Sequence, residues 1–292
     1  MADFSSKYNF LQHGNSKIGI LGFGYIGSNV YKYLSSLSDC NFKILIITEE
    51  NLKLIETETF DYFINCAGNS GDFRSNILFT VESNISLHLY LVKHLKIRKT
   101  FLTLSSTRVY GFIDNKSVAF NEYSTSVSNH LNLDYIYDGS KMMVESILAN
   151  YAKNLKYNVK VVRLSNVYGK FNQLDDTTLI KKIIKNKLNN TRFSININKN
   201  STKDYIYIDN AIEGIILTLF CPEKFEIYNI AFGESYSVND ISKMLDFQID
   251  FDDTNMKELH SRIDITKSQT KLGFFPKINF QSGLNKIITN TE

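Results

Sequence analysis

The stretch Lys17–Gly27, KIGILGFGYIG, constrains what this chain can fold into more than any other. A β-branched apolar run passes into Gly22-x-Gly24-x-x-Gly27, and an apolar-periodic segment follows from Ile26. A strand, a turn without side chains and a helix, in that order, bring backbone N–H groups and a helix N-terminus close to a diphosphate. Gly22, Gly24 and Gly27, with Tyr25 and Ile26 between them, are therefore candidate dinucleotide-binding residues. The second apolar run ends in Thr48-Glu49-Glu50. A carboxylate there accepts hydrogen bonds from ribose hydroxyls and repels a 2′-phosphate, so Glu49 is the candidate that selects NAD over NADP. A solvated strand end is the competing reading of both glutamates.

Short apolar runs alternate with longer amphipathic ones downstream, the pattern of parallel strands joined by crossover helices. Strands are expected over 17–21, 43–48, 61–66, 100–104 and 159–164, and helices over 26–37, 77–96, 141–155 and 175–188. Beyond residue 165 the spacing loosens and Asn-rich loops appear, as suits a smaller lobe. The expected division is a nucleotide-binding domain over 1–165 and a substrate lobe over 166–292. The chain is expected to return to the first sheet around 204–235, because 205–220 and 225–230 read as a further helix and strand. Only residues 51–60 separate the second strand from the next, too few for another strand, a helix and an acidic residue to cradle adenine. Adenine recognition, and with it the exclusion of NADP, stays open.

The 33 Lys and Arg against 30 Asp and Glu are spread along the chain, so nucleic acid is not an expected partner while anionic small molecules are. No apolar run approaches the ~20 residues of a membrane helix, and the start MADFSSKYNFLQHGNS lacks a basic segment followed by an apolar one; a cytoplasmic location is expected. Cys40, Cys66 and Cys221 have no paired spacing and read as reduced thiols. His13, His88, His94, His130 and His260 show no ligand spacing, and no metal is expected.

Residues 137–141, YDGSK, place Tyr137 and Lys141 four apart on one helix face. A phenol is a poor base near neutral pH, but a neighbouring ammonium and a nicotinamide cation both favour its phenolate. With the glycine turn upstream, the pair is a candidate for proton transfer.

At this point the chain resembles an extended short-chain dehydrogenase/reductase of the NAD-dependent epimerase/dehydratase group, which modifies nucleotide-linked sugars. Eight segments carry the likeness in order over most of 17–285: GFGYIG, FINCAG (63–68), SSTRVYG (105–111), YDGSK, VVRLSNVYG (161–169), KDYIYIDNAIEG (203–214), YNIAFGESYSVNDI (228–241) and RIDITKSQTKLGFFPKI (262–278). The resemblance implies a Rossmann-type doubly wound parallel sheet with a smaller C-terminal α/β substrate lobe. It implies a catalytic set of Ser106, Tyr137 and Lys141, with Ser106 on the carbon-4 oxygen of the sugar, Tyr137 moving its proton and Lys141 holding the nicotinamide ribose. Cys66, Ala67 and Gly68 would lie under the nicotinamide. Asn84 would shape a water site near Lys141, against the plainer reading of an exposed polar residue. The diphosphate of the substrate would meet Asn166, Lys203, where the family usually has arginine, and Arg262.

SSTRVYG also departs from the family. The group's 4,6-dehydratases carry an Asp-Glu pair directly after the catalytic hydroxyl, whereas this chain has Thr107-Arg108. A guanidinium cannot be the base for loss of water. Thr107 and Arg108 are kept as substrate-side candidates, with strand-end hydrogen bonding and a surface charge as their plainer readings. The chemistry narrows to NAD(H)-dependent oxidation or reduction at carbon 4 of a nucleotide-diphosphate sugar, in the making of surface polysaccharide or glycan precursors. The alternatives are 4-epimerisation and, from another class, a non-catalytic NAD(P)-sensing regulator, which has no need of Ser106, Tyr137 and Lys141 together. Helix 77–96 is apolar on more than one face, and members of the group often pair through this helix and 141–155, so a homodimer is expected.

Overall fold

The structure, a computed structural model, describes residues 15–38, 40–170, 178–252 and 256–289. The first half of the chain runs β1 (Ser16–Leu21), α1 (Tyr25–Ser35), β2 (Phe42–Ile47), α2 (Leu54–Thr57), β3 (Thr59–Asn65), α3 (Ile77–Val81), α4 (Leu87–His94), β4 (Lys96–Ser106), β5 (Ala119–Phe120) and α5 (Tyr135–Tyr151). It continues through β6 (Asn158–Leu164), β7 (Asn166–Tyr168), α6 (Leu179–Leu188), β8 (Ser194–Ile195), β9 (Thr202–Tyr207) and α7 (Ile208–Leu219). The remaining elements are β10 (Phe225–Ile230), β11 (Ser235–Ser237), α8 (Val238–Leu245), β12 (Asp250–Phe251), β13 (His260–Ile263) and α9 (Phe280–Thr289).

Six parallel strands form the main sheet in the order β10-β6-β4-β3-β1-β2. Side chains of a strand alternate between faces, and here both faces are covered. Ile18, Ile20, Ile64, Leu102 and Val162 meet Val30 and Leu34 of α1 and Ile212 and Ile215 of α7. Phe60, Phe63, Phe101, Val159 and Val161 meet Leu91 of α4 and Val144 and Leu148 of α5. Burial on both faces is why these strands read as continuous apolar runs. The strand order reverses at β1, with β2 on one side and β3 on the other, and the crevice of such a sheet opens at the strands' C-terminal ends at that point.

A second sheet, β11-β9-β13-β5 with β7 also on β9, stands beside the first. Asp204 of β9 ties it to the turn after β10: its buried carboxylate accepts N–H groups of Phe232 at 3.0 Å and Gly233 at 2.7 Å. Burial pushes its pKa up to about 6, against the pull of those hydrogen bonds.

All five expected strands form, and β4 runs to 11 residues rather than five. The segment 205–220 divides between two elements, because Tyr207 is extended (φ −67°, ψ 142°) and α7 begins only after it; β10 joins the main sheet as expected. The helix expected from 141 already begins at Tyr135, and the one over 77–96 is interrupted by a π turn at Glu82–Ser86. The expected start of helix 175–188 lies outside the described residues, as does His13; from Leu179 to Leu188 the helix is present. As the short 51–60 spacing implied, only a 3-10 turn at Glu49–Asn51 and α2 connect β2 to β3, so β2 is the edge of the sheet.

Candidate active site

A cavity of about 480 Å³ opens at the C-terminal ends of β1, β3, β4 and β6. Its floor is the glycine turn. Gly22, at φ +86°, donates its N–H to the Ile47 carbonyl at 3.0 Å, and a Cβ on Gly27 would lie 2.0 Å from the Gly22 carbonyl oxygen. No side chain caps the N-terminus of α1, and Gly24, Tyr25 and Ile26 face the cavity. Uncapped N–H groups of an 11-residue helix above open space are what a diphosphate requires, so the residues present fit a dinucleotide.

Cys66, Ala67 and Gly68, just past β3, form the next part of the wall. A buried polar network fixes them. Asn65 Oδ1 accepts the Ala67 N–H at 3.0 Å, and Asn84 Oδ1 accepts the Asn69 N–H at 2.9 Å. Asn84 Nδ2 donates to Ser140 Oγ of α5 at 3.0 Å, and His88 bonds the Asn84 carbonyl at 2.7 Å and Thr103 at 2.7 Å. Asn84 is therefore fully buried, not exposed, and sits in the π turn, where it joins three segments. His88 is structural: burial, then the Lys141 charge, pushes its pKa down to about 3. A Cβ on Gly68 (φ +149°) would fall 3.1 Å from Lys141 Nζ, so that glycine lets the ammonium lie against the backbone.

Ser106 ends β4, and Tyr137 and Lys141 project from the first turns of α5 into the same cavity. Ser106 Oγ accepts the Arg108 N–H at 3.2 Å and interacts with the Tyr137 phenol. Lys141 Nζ is 5.8 Å from the Tyr137 ring centre and donates to the Leu104 carbonyl at 3.3 Å. Burial raises the Tyr137 pKa above its ordinary value, and the Ser106 hydrogen bond and the Arg108 charge draw it part of the way back. Burial lowers that of Lys141 to about 8, with Glu145 opposing.

Arg108 is no surface charge. Its Nε donates to Asp138 at 2.8 Å and its Nη2 to Asp134 at 3.1 Å, and it lines the cavity with Asn166 and Lys203. Asn166 Nδ2 donates to the Asp204 carbonyl at 2.8 Å. Besides Gly22, Gly27 and Asn84, which support the cavity without lining it, three expected residues stand apart from its wall. Thr107 is buried, Glu49 is exposed in the turn beyond β2, and Arg262 is exposed on β13 opposite Ala119 of β5. Phe73 is a wall residue that the sequence reading missed: it is 5% exposed and stacks on Tyr137 with ring centres 5.0 Å apart. Its signal was a lone aromatic in the otherwise polar loop NSGDFRSN (69–76). No group of three or more His, Cys, Asp or Glu among the described residues could hold a metal ion.

A glycine turn at the switch point of an all-parallel sheet, facing a Tyr and Lys on one helix, defines a Rossmann-type dinucleotide-binding protein. The chain belongs to the NAD dependent epimerase/dehydratase family, whose model matches residues 18–231. It is 29% identical over 245 residues to a dTDP-D-glucose 4,6-dehydratase of Dictyostelium discoideum, covering 79% of this chain and 56% of that protein. It is 29% identical over 161 residues to the dTDP-4-dehydro-6-deoxyglucose reductase of Escherichia coli, covering 52% and 51%. The chain thus spans about half the length of these curated relatives. Its fold matches that of a UDP-glucuronic acid 4-epimerase from Bacillus cereus, solved with UDP-glucuronic acid and NAD, at a TM-score of 0.76 and 23% identity, covering 94% of this chain and 100% of that one.

Proposed function

We propose that this chain is an NAD(H)-dependent oxidoreductase acting at carbon 4 of a nucleotide-linked sugar, as a 4-dehydrogenase or 4-keto reductase in glycan precursor synthesis. The observation that carries the reading is the convergence of Ser106, Tyr137 and Lys141 on the cavity that the glycine turn floors. Bound NAD supplies the hydride acceptor or donor. In the oxidising direction Ser106 Oγ holds the carbon-4 hydroxyl and Tyr137 takes its proton as carbon 4 gives up hydride; in reduction Tyr137 returns the proton. Lys141 keeps most of its charge at neutral pH, as its pKa of about 8 requires, and favours the phenolate. Among the described residues that line the cavity there is no Asp or Glu, which speaks against loss of water. The reductase relative supports the same direction of reading.

The test follows nicotinamide absorbance while UDP-, GDP-, CDP- and dTDP-hexoses and their 4-keto forms are added. A rise with a hexose or a fall with a keto sugar is the expected result, and product without net signal would move the assignment to 4-epimerisation. Silence across the panel with NAD bound would favour a sensor.

The homodimer belongs to the same proposal. Leu78 is 78% exposed, and Ile77, Phe79 and Leu89 on α3 and α4, with Met143 and Tyr151 on α5, are exposed beside it. A second copy would cover these apolar side chains. Scattering at micromolar concentration is expected to give twice the chain mass, and a monomer overturns the pairing. No described helix is long and apolar enough to cross a membrane.

A further inference from the structure

Two cations stand 5.8 Å from the centre of the Tyr137 ring: Lys141 Nζ and the guanidinium of Arg108. They are held in different ways. Lys141 donates to a backbone carbonyl and has no carboxylate in hydrogen-bond contact. Arg108 is clamped by Asp138, the residue after Tyr137, and by Asp134 one turn earlier. Asp134 is itself gripped by Arg74 through Nε at 2.5 Å and Nη2 at 2.7 Å. The Arg108 guanidinium also lies 5.4 Å from the ring centre of Phe73, and Phe73 stacks on Tyr137. A guanidinium keeps its charge at every accessible pH, whereas a buried ammonium can give its charge up.

We propose that Arg108 is a positioning residue for Tyr137: a permanent charge, fixed by Asp138 and Asp134, that faces the phenol and favours its phenolate. The proposal rests on the reading of Tyr137 as the proton-transfer group. The charged groups around the phenol are Lys141 and Asp138 from α5, Arg108 from the turn after β4, and, behind Arg108, Asp134, Arg74 and Lys203 of β9. Of these, Arg108 lowers the Tyr137 pKa and Asp138 raises it, while burial remains the larger effect. Burial lowers the Lys141 pKa to about 8, so its charge weakens as pH rises while that of Arg108 does not.

The experiment labels tyrosine at Cζ with carbon-13, assigns Tyr137 by the signal lost in Tyr137→Phe, and titrates the NAD-loaded chain and its Arg108→Met, Arg108→Gln and Arg108→Lys variants. Loss of the charge is expected to leave about tenfold less phenolate at a given pH, a midpoint about one pH unit higher. Arg108→Lys is expected to recover part of the shift. Arg108→Gln keeps a donor toward Asp138 and guards against a Met variant that does not fold. The acid limb of the kcat profile, taken at saturation with a sugar that turns over, is expected to move the same way. A Tyr137 midpoint unmoved in the folded Gln or Met variant overturns the proposal, as does a Lys variant no better than Gln. Because the titration reads the phenol directly, a chain that proves not to act on sugars leaves this result interpretable.

Discussion

Tyr137→Phe is expected to cost about 10²–10⁴-fold in turnover, the range for losing a positioned proton-transfer group. The change removes one oxygen and little else. The phenol bonds Ser106, and its ring packs on Phe73, a contact that phenylalanine keeps. The residue is 7% exposed and the change deletes one partner of the Ser106 contact, so the folded state is expected to lose about 1 kcal/mol. The glycine turn is untouched, and NAD affinity should stay within a few-fold of the unaltered chain. Turnover with the sugar identified by the panel, measured beside NAD binding by fluorescence, separates the two effects. Turnover unchanged in the variant would move the proton transfer to another group.

Glu145→Ala has the largest expected effect on stability. The Glu145 carboxylate, 8% exposed, accepts from Ser105 Oγ at 2.6 Å and from Arg163 Nη2 at 2.6 Å, with Arg163 Nε at 3.0 Å. Truncation leaves a guanidinium buried in the molecule with only neutral acceptors, the Tyr110 hydroxyl at 2.7 Å and the Glu122 carbonyl at 3.2 Å. Breaking such a pair costs about 3–5 kcal/mol, a large part of the ~5–15 kcal/mol that holds a domain folded. A urea midpoint lowered at constant slope is the expected reading. The double change Glu145→Leu with Arg163→Met should recover most of the loss, because it removes the stranded charge along with its partner. A single variant as stable as the parent would mean that Arg163 finds another anion.

The parts of the molecule legible in the sequence are those set by neighbours along the chain. β1, β3 and β6 announce themselves because strands covered on both faces need unbroken apolar runs, and Tyr137 and Lys141 meet because four residues make one helical turn. The π turn at Glu82–Ser86 was not legible, since it differs from an α turn by a single residue in its hydrogen bonding. It places Asn84 inward. The partners of Arg108 were hidden for another reason: Asp134 lies 26 residues away and reaches it only through the packing of α5 against β4. Arg262 stands exposed on β13, away from the cavity wall, and its segment carries no periodic signal from which its side of that strand could be read.

The three glycines of the turn also differ in what a mutation there can report. A methyl at Gly27 collides with the main chain and one at Gly22 meets Ala67 N at 2.7 Å, so substitutions at either position damage the scaffold whatever it binds. At Gly24 an added Cβ finds nothing within 4 Å. Gly24 is thus the position in the motif whose intolerance, if selection or a screen reveals it, speaks for an occupant of the crevice rather than for the architecture around it.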